Sequence, residues 1–406
     1  MMTDYDNSLA IDDVFLRKLI TNSKLTMKKY DFFYIDPQSY SNLSVYDYNL
    51  LSHFDKQNLL YLHSKKYDYK SIEGWNEKSV FTYNSIANNN LKAISYVWSY
   101  IRIFFLIALY KPKVVHVQWF KLPSLDLLFV KLTKKLFGTQ YVFTAHNVLP
   151  HNTGNRHVNI YKKLYHTVNR IIVHTPATVK EIISMFDISE NKITVIPHGI
   201  IQLDIDEQIY RQSLSKWSEK YNTDGKIVFS SLGEQSRYKG IDLLAEVWSQ
   251  TPELCQNDNL RLLIIGKQVN IDLSVLSACN NVILENSRIS NEEFYYLLKH
   301  TDVYVLPYRN ISQSGALLTA LSTRTPIAAT NVGGLCDPLK VAPVGWEISG
   351  TTFKDIQQQL INISMSPDKI FAIKNNHADW EKINDYYAWH HISRTTMKLY
   401  QSMCDK

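Results

Sequence analysis

The chain has 406 residues, 45% hydrophobic and 20% charged, which is enough for two ordinary domains and too apolar for a disordered, collagenous or coiled-coil chain. Its 44 Lys and Arg against 38 Asp and Glu give a net charge of +6. That excess falls short of a nucleic-acid binder's and suits a phosphorylated small molecule or an anionic membrane surface. The cysteines, Cys255, Cys279, Cys336 and Cys404, form no CxxC pair, so neither a zinc ribbon nor a disulfide framework is expected and the chain reads as cytoplasmic.

Residues 1–26 carry Asp4, Asp6, Asp12 and Asp13 in place of a basic start and an apolar run, and read as an extra arm instead of a secretory signal. A strand-like run follows at 31–35. Residues 91–110 match a membrane-spanning helix in length, but Lys92, Arg102 and several hydroxyls would be costly at mid-bilayer, so a buried or membrane-grazing helix is expected. Apolar strands at 114–117, 141–145, 170–173 and 193–196 then alternate with helices. One of these, over 125–137, places Lys131, Lys134 and Lys135 on its outer face. The charged stretch 200–225 reads as a linker. A second alternation follows, with strands at 227–231, 260–265, 282–284, 303–306 and 327–329, and then a long aromatic helix over 378–404. β-Branched strands alternating with helices predict two α/β, doubly wound domains facing a cleft. Their expected bounds are 27–200 and 201–379, with a terminal helix over 380–406.

In such sheets ligands bind at the carboxyl ends of strands. After the strand at 227–231, Arg237 and Lys239 stand where a diphosphate could be neutralised. After 303–306, Ser312, Gln313, Ser314, Gly315 and Ala316 open an apolar helix whose free N–H groups suit phosphate. In the other domain, His146, Asn147 and His151 follow one strand, and His198 and Gly199 another. No GxGxxG, P-loop, GxSxG or HExxH motif occurs. The DxD triplets at 4–6 and 204–206 follow no strand.

In order, the segments HNVLPH (146–151), IVHT (172–175), VIPHG (195–199), RYKG (237–240) and LPY…SQSG (306–315) resemble the glycosyltransferases of the large retaining family 4, which have the GT-B fold. The resemblance spans about residues 28–405. It implies a nucleotide-diphosphate sugar held by the second domain, an acceptor held by the first, and a terminal helix crossing back to the first domain. By position, Arg237 and Lys239 would neutralise the diphosphate, Ser314, Gly315 and Ala316 would cradle it, and Arg288 and Ile289 would meet the base. Ser312, Gln313, His198 and Gly199 would lie along the nucleotide or sugar. His146 would hydrogen-bond the donor sugar, making His146, Arg237 and Lys239 the catalytic set. Asn147, His151 and residues 27–48 would face the acceptor. Fixed cations would stand in for a divalent metal, so no metal or other cofactor is expected.

Two departures from the family pattern stand out. Ser312 and Thr319 or Ala320 occupy the places of two customary glutamates, and Gly233 is followed by Glu234 where arginine is frequent. The expected partners are a nucleotide sugar and a saccharide or lipid-linked acceptor, with peripheral contact at the inner face of the plasma membrane and no nucleic acid. The expected role is bacterial capsule or exopolysaccharide biosynthesis. A non-catalytic partner subunit or sugar-binding module, and a sugar-nucleotide epimerase, are the competing readings. The epimerase would need acids in the cleft to move a C–H proton.

Overall fold

The computed structural model describes residues 29–40, 42–54, 58–68, 74–150 and 157–405. The expected arm and His151 lie outside the described residues. The first domain is built on seven parallel strands: β1 (Phe32–Asp36), β2 (Leu59–Ser64), β3 (Glu77–Phe81), β4 (Val114–Val117), β5 (Gln140–Thr144), β6 (Arg170–Val173) and β7 (Ile193–Val195). They run in the order β3-β2-β1-β4-β5-β6-β7. Period-two alternation sends the side chains of β1 to opposite faces. Phe33 and Ile35 join the core under helices α2 (Asn89–Tyr110), α3 (Pro123–Phe137), α4 (Val158–Thr167) and α5 (Pro176–Phe186). Phe32 and Tyr34 join the core under α1 (Asn42–Leu51) and the terminal helix.

The second domain opens with α6 (Glu207–Tyr221). Its main strands are β8 (Ile227–Leu232), β10 (Leu260–Ile265), β12 (Val282–Glu285), β13 (Val303–Leu306), β14 (Ile327–Thr330) and β15 (Gly345–Ile348). They form a parallel sheet in the order β12-β10-β8-β13-β14-β15. A short pair, β9 (Gln235–Ser236) and β11 (Gln268–Val269), extends the exits of β8 and β10. Helices α7 (Ile241–Gln250), α8 (Asn291–Lys299), α9 (Gly315–Ser322), α10 (Phe353–Ser364) and α11 (Pro367–Asn375) complete the layers, and α12 (His377–Tyr386) and α13 (Trp389–Cys404) end the described chain. Strand order reverses between β1 and β4 in one sheet and between β8 and β13 in the other. Those are the switch points at which doubly wound sheets bind ligands.

Three expectations are corrected. The stretch 200–225 is not all linker: it contains α6, whose Trp217 and Tyr221 are buried against Tyr296 while its charged face meets water. The terminal helix is two helices. Tyr387 and Ala388 break it because Trp380, Ile383 and Tyr387 belong to the second domain's core, whereas Trp389, Ile392 and Tyr400 belong to the first's. Only α13 crosses, and Ser393 Oγ fastens it to the Leu50 carbonyl at 3.0 Å. Lys134 leaves the outer face of α3, its Nζ donating to the Thr167 carbonyl at 2.6 Å and to Asn169 Oδ1 at 2.8 Å.

The crossing explains Gly199. A Cβ there would lie 2.3 Å from the Trp389 ring, whose Nε1 donates to the Ile200 carbonyl at 2.9 Å. Only a residue without a side chain lets the connecting segment and the crossing helix approach so closely.

Candidate active site

The two switch points face each other across a cleft of about 560 Å³. From the second domain it is lined by Lys239, Gln313, Gly315, Ala316 and Thr319, and from the first by His146, Asn147, His198, Gln38 and Tyr46. Gly233 and Phe294 also line a neighbouring cavity of about 340 Å³, which holds Arg288, Ile289, Glu234 and Lys267. A further cavity of about 730 Å³ opens on the other side of Asn147 and takes in Ser312, Leu149, Tyr238 and Gly333.

Two loops build the second-domain wall. Gly240 ends the turn Arg237–Lys239 with φ +71, and a Cβ there would sit 1.9 Å from the Pro307 carbonyl oxygen. The exits of β8 and β13 therefore pack directly on one another. Arg309 zips them: its backbone N–H donates to the Tyr238 carbonyl at 2.9 Å and its guanidinium reaches the Arg237 carbonyl at 2.6 Å. Lys239 Nζ donates to the Glu234 carbonyl at 2.7 Å, and burial lowers its pKa from the ordinary lysine value. This cation is held beside the cleft by a backbone oxygen and remains available to an anion. Ser314 caps α9, accepting from Leu317 N at 3.3 Å, so the amides of Gly315 and Ala316 are left at the cleft with the positive end of the helix dipole.

Arg237 departs from expectation. Its side chain is 83% exposed and turns toward Asp242, Nε to Oδ2 3.8 Å, and it lines none of the three cavities. Asp242, in the first turn of α7, draws both Arg237 and Arg309. Ser312 likewise lines the larger cavity and not the cleft that holds Lys239.

The first-domain wall is a chain of neutral imidazoles. His174 Nδ1–H donates to the Ile196 carbonyl at 2.9 Å, and its Nε2 faces His146 Nδ1 at 3.2 Å. His146 Nε2 stands 2.9 Å from the Gln118 side-chain oxygen. The Gln118 amide nitrogen stands 2.9 Å from His116 Nε2 and donates to Thr144 Oγ1 at 3.2 Å. His116 Nε2 is hydrogen-bonded to Thr144 Oγ1 at 2.6 Å, and His116 Nδ1 to the Tyr400 hydroxyl of α13. The line of contacts runs from the crossing helix to the cleft.

Burial is the main reason these rings stay uncharged. It pushes His146 well below the ordinary histidine value, His174 down to about 4, and His116 and His198 down to about 3. Neighbouring imidazoles lower His116, His146 and His198 further. The ring of Tyr46 packs between His146 and His198, with centroids 4.9 and 5.0 Å away. Both nitrogens of His146 are engaged, so a ligand would bond to it by taking over one of these partners.

Several residues escaped the sequence reading. Gln118 follows β4 and Lys267 follows β10, so the strand-end rule could have found both. His116 lies within β4 and His174 just after β6, and both belong to the line of contacts that holds His146. Phe294 sits inside a helix, where nothing in the sequence marks it.

The comparisons with known proteins agree with this layout domain by domain. Residues 69–201 match the model described as Glycosyltransferase Family 4, and residues 225–361 match Glycosyl transferases group 1. Among relatives, an uncharacterized glycosyltransferase of Methanocaldococcus jannaschii is 22% identical over 255 residues, 57% of this chain and 60% of its own length. A D-inositol 3-phosphate glycosyltransferase of Paenarthrobacter aurescens is 21% identical over 243 residues, 57% of each chain. The matched stretch thus spans less than two thirds of either relative.

Among solved structures, sucrose-phosphate synthase from Thermosynechococcus elongatus superposes with a TM-score of 0.66 at 14% identity, covering 93% of this chain and 100% of that one. HepE of Anabaena in complex with UDP superposes with a TM-score of 0.67 at 12% identity, covering 92% and 100%. At such identities the likeness is one of fold. The two family matches, which together take in about two thirds of the sequence, show that the chain belongs to the family 4, or group 1, glycosyltransferases, built on the GT-B plan.

Proposed function

We propose that the protein transfers a sugar from a nucleotide-diphosphate sugar to a saccharide or lipid-linked oligosaccharide, in the cytoplasm and in the service of a bacterial surface polysaccharide. The observation that carries this reading is the alignment of Lys239, the Gly315 and Ala316 amides, and the Arg288–Ile289 cavity along one wall. A diphosphate beside Lys239 and α9 would send its base toward Arg288 and Ile289 and its sugar toward His146. HepE of Anabaena, which shares the fold, was solved with UDP and with UDP-glucose, and that ligand class suits these cavities.

In transfer, the bond from the sugar's anomeric carbon to the diphosphate oxygen breaks and negative charge develops on the leaving oxygen. Lys239 and the amides of α9 are placed to stabilise that charge, so we propose that no divalent metal is required. The acceptor hydroxyl bonds to the anomeric carbon and its proton passes to the leaving phosphate oxygen, with retained configuration. His146 is neutral, so it contributes hydrogen bonding and shape and not a charge. The larger cavity beside Asn147 and Ser312 is the proposed acceptor side.

The test is thermal stabilisation by UDP, GDP, ADP and dTDP with EDTA present, followed by release of the free nucleotide from the cognate sugar nucleotide. Selective stabilisation that is lost in Lys239→Ala is expected. Thr319, whose hydroxyl donates to the Gly315 carbonyl at 2.9 Å, stands where the family often has an acid, and this favours a second reading as a non-catalytic sugar-nucleotide-binding subunit. Binding without turnover on any acceptor would select that second reading. Failure of all four nucleotides to bind would overturn both.

A further inference from the structure

Helices α2, α3 and α4 lie side by side on one face of the first sheet. Their inner residues are core, and the outer surface of α2 is unlike that of an ordinary helix on a globular protein. Leu91, Ile94, Trp98, Ile101, Phe105 and Leu109 follow each other at helical spacing, and all are exposed, Trp98 to 58% and Phe105 to 66%. On α3, Leu128, Leu132 and Leu136 continue the surface, with Leu128 63% exposed. A contiguous apolar surface of this kind marks a contact site.

The charge around it is one-sided. Residues 89–167 contain eleven Lys and Arg and one acid, Asp126, which is fully buried. That stretch carries +10 by this count, so the rest of the chain, against a total of +6, sums to −4. Lys131 and Lys135 stand on α3 in the same stripe as the exposed leucines. Beside Lys131, a cavity of about 470 Å³ is lined by Lys162, Lys163, Asn159, His166 and Thr167.

We infer that the outer face of α2, α3 and α4 docks on the surface of an anionic lipid bilayer. The leucines, Trp98 and Phe105 would enter the headgroup boundary, and Lys131, Lys162 and Lys163 would receive lipid phosphates. Apolar residues interleaved with cations are what an interfacial helix presents, and each lysine near such a surface adds to the attraction. A second copy would meet the same unbalanced positive charge, so self-association is disfavoured. The helix α2 has the length and composition to cross a membrane, but it lies on the domain. Ser99 Oγ donates to the Val80 carbonyl at 2.8 Å and the Tyr96 hydroxyl to Asp126 at 3.1 Å, with Ile103 and Ile107 fully buried. The inference extends the proposed lipid-linked acceptor by naming where the membrane is met.

The test is co-sedimentation of the full chain with vesicles of pure phosphatidylcholine and of phosphatidylcholine with 30% phosphatidylglycerol, at low and high salt. Binding to the anionic vesicles alone, weakened by salt, is expected. Lys131→Glu with Lys162→Glu and Lys163→Glu should lower partitioning by about two orders of magnitude. Trp98→Ser with Phe105→Ser should abolish it even at low salt. All these positions are exposed, so melting temperature and nucleotide stabilisation should stay as in the wild type. That separates this inference from the nucleotide reading, which fails if stabilisation is absent while vesicle binding persists. Equal binding to both vesicle types, no binding, or a dimer dissolved by Phe105→Ser would overturn the membrane assignment.

Discussion

The two domains share one architecture and have been finished in opposite ways. In the second domain α10 buries Ile356, Leu360 and Ile363 and turns polar residues to water. In the first domain α2 buries one stripe and leaves a second apolar stripe uncovered. The cleft walls differ too. The second domain presents a lysine and a helix N-terminus, a positive wall suited to a diphosphate, and the first presents imidazoles that burial keeps neutral. The comparison teaches that a doubly wound sheet dictates where a ligand sits, while charge and finish decide which ligand and which neighbouring surface.

Gly199→Ala strikes the segment joining the two walls. Its Cβ would overlap the Trp389 ring at 2.3 Å, so a loss of about 3 kcal/mol is expected in chemical denaturation. An unchanged midpoint would mean that the crossing helix is not seated as described. Lys239→Ala should weaken nucleotide binding by about 2 kcal/mol, roughly thirtyfold in Kd, readable by calorimetry. If the positive wall resides elsewhere, for instance at Lys267, affinity will hold.

Asp126, the acid buried under the apolar face, is pushed up to about 7, chiefly by burial. Its folded value lies above its unfolded one, so the wild type should gain stability relative to Asp126→Asn as pH falls from 8 to 5. The gain should be about 2 kcal/mol, and urea titrations at the two pH values would reveal it. A difference that does not vary with pH would show that the carboxyl does not take up a proton in the folded state. Arg237→Ala should change nucleotide affinity least, within about twofold, because an exposed pair with Asp242 contributes little. A loss matching that of Lys239→Ala would show that the guanidinium swings into the cleft.

Much of this was legible in the sequence for local reasons. The strands at 114–117, 170–173, 260–265 and 303–306 are runs of β-branched and apolar residues buried on both faces, and such runs announce themselves. The segments after the strands at 141–145, 227–231 and 303–306 held Lys239, His146, Asn147, Gly315 and Ala316, because strand ends are where these sheets bind ligands. Edge strand β3 did not show, since Glu77, Lys78 and Ser79 give it a polar exterior. Arg237 and Lys239 are indistinguishable by spacing, and a carboxylate brought up by α7 separates them.

The sequence by itself determined the two doubly wound domains, the family, and the segments that supply the cleft, because hydrophobic period and turn chemistry are local properties. Tertiary structure alone decided how His146 is held, which depends on Ile196, His174, Gln118, His116 and Tyr400 meeting across 284 residues of chain. It also decided which stripe of α2 is core and which is left to face outward. Both outcomes depend on what lies beyond the side chain, and the fold supplies that by burying some polar groups beside one another and leaving one apolar face uncovered.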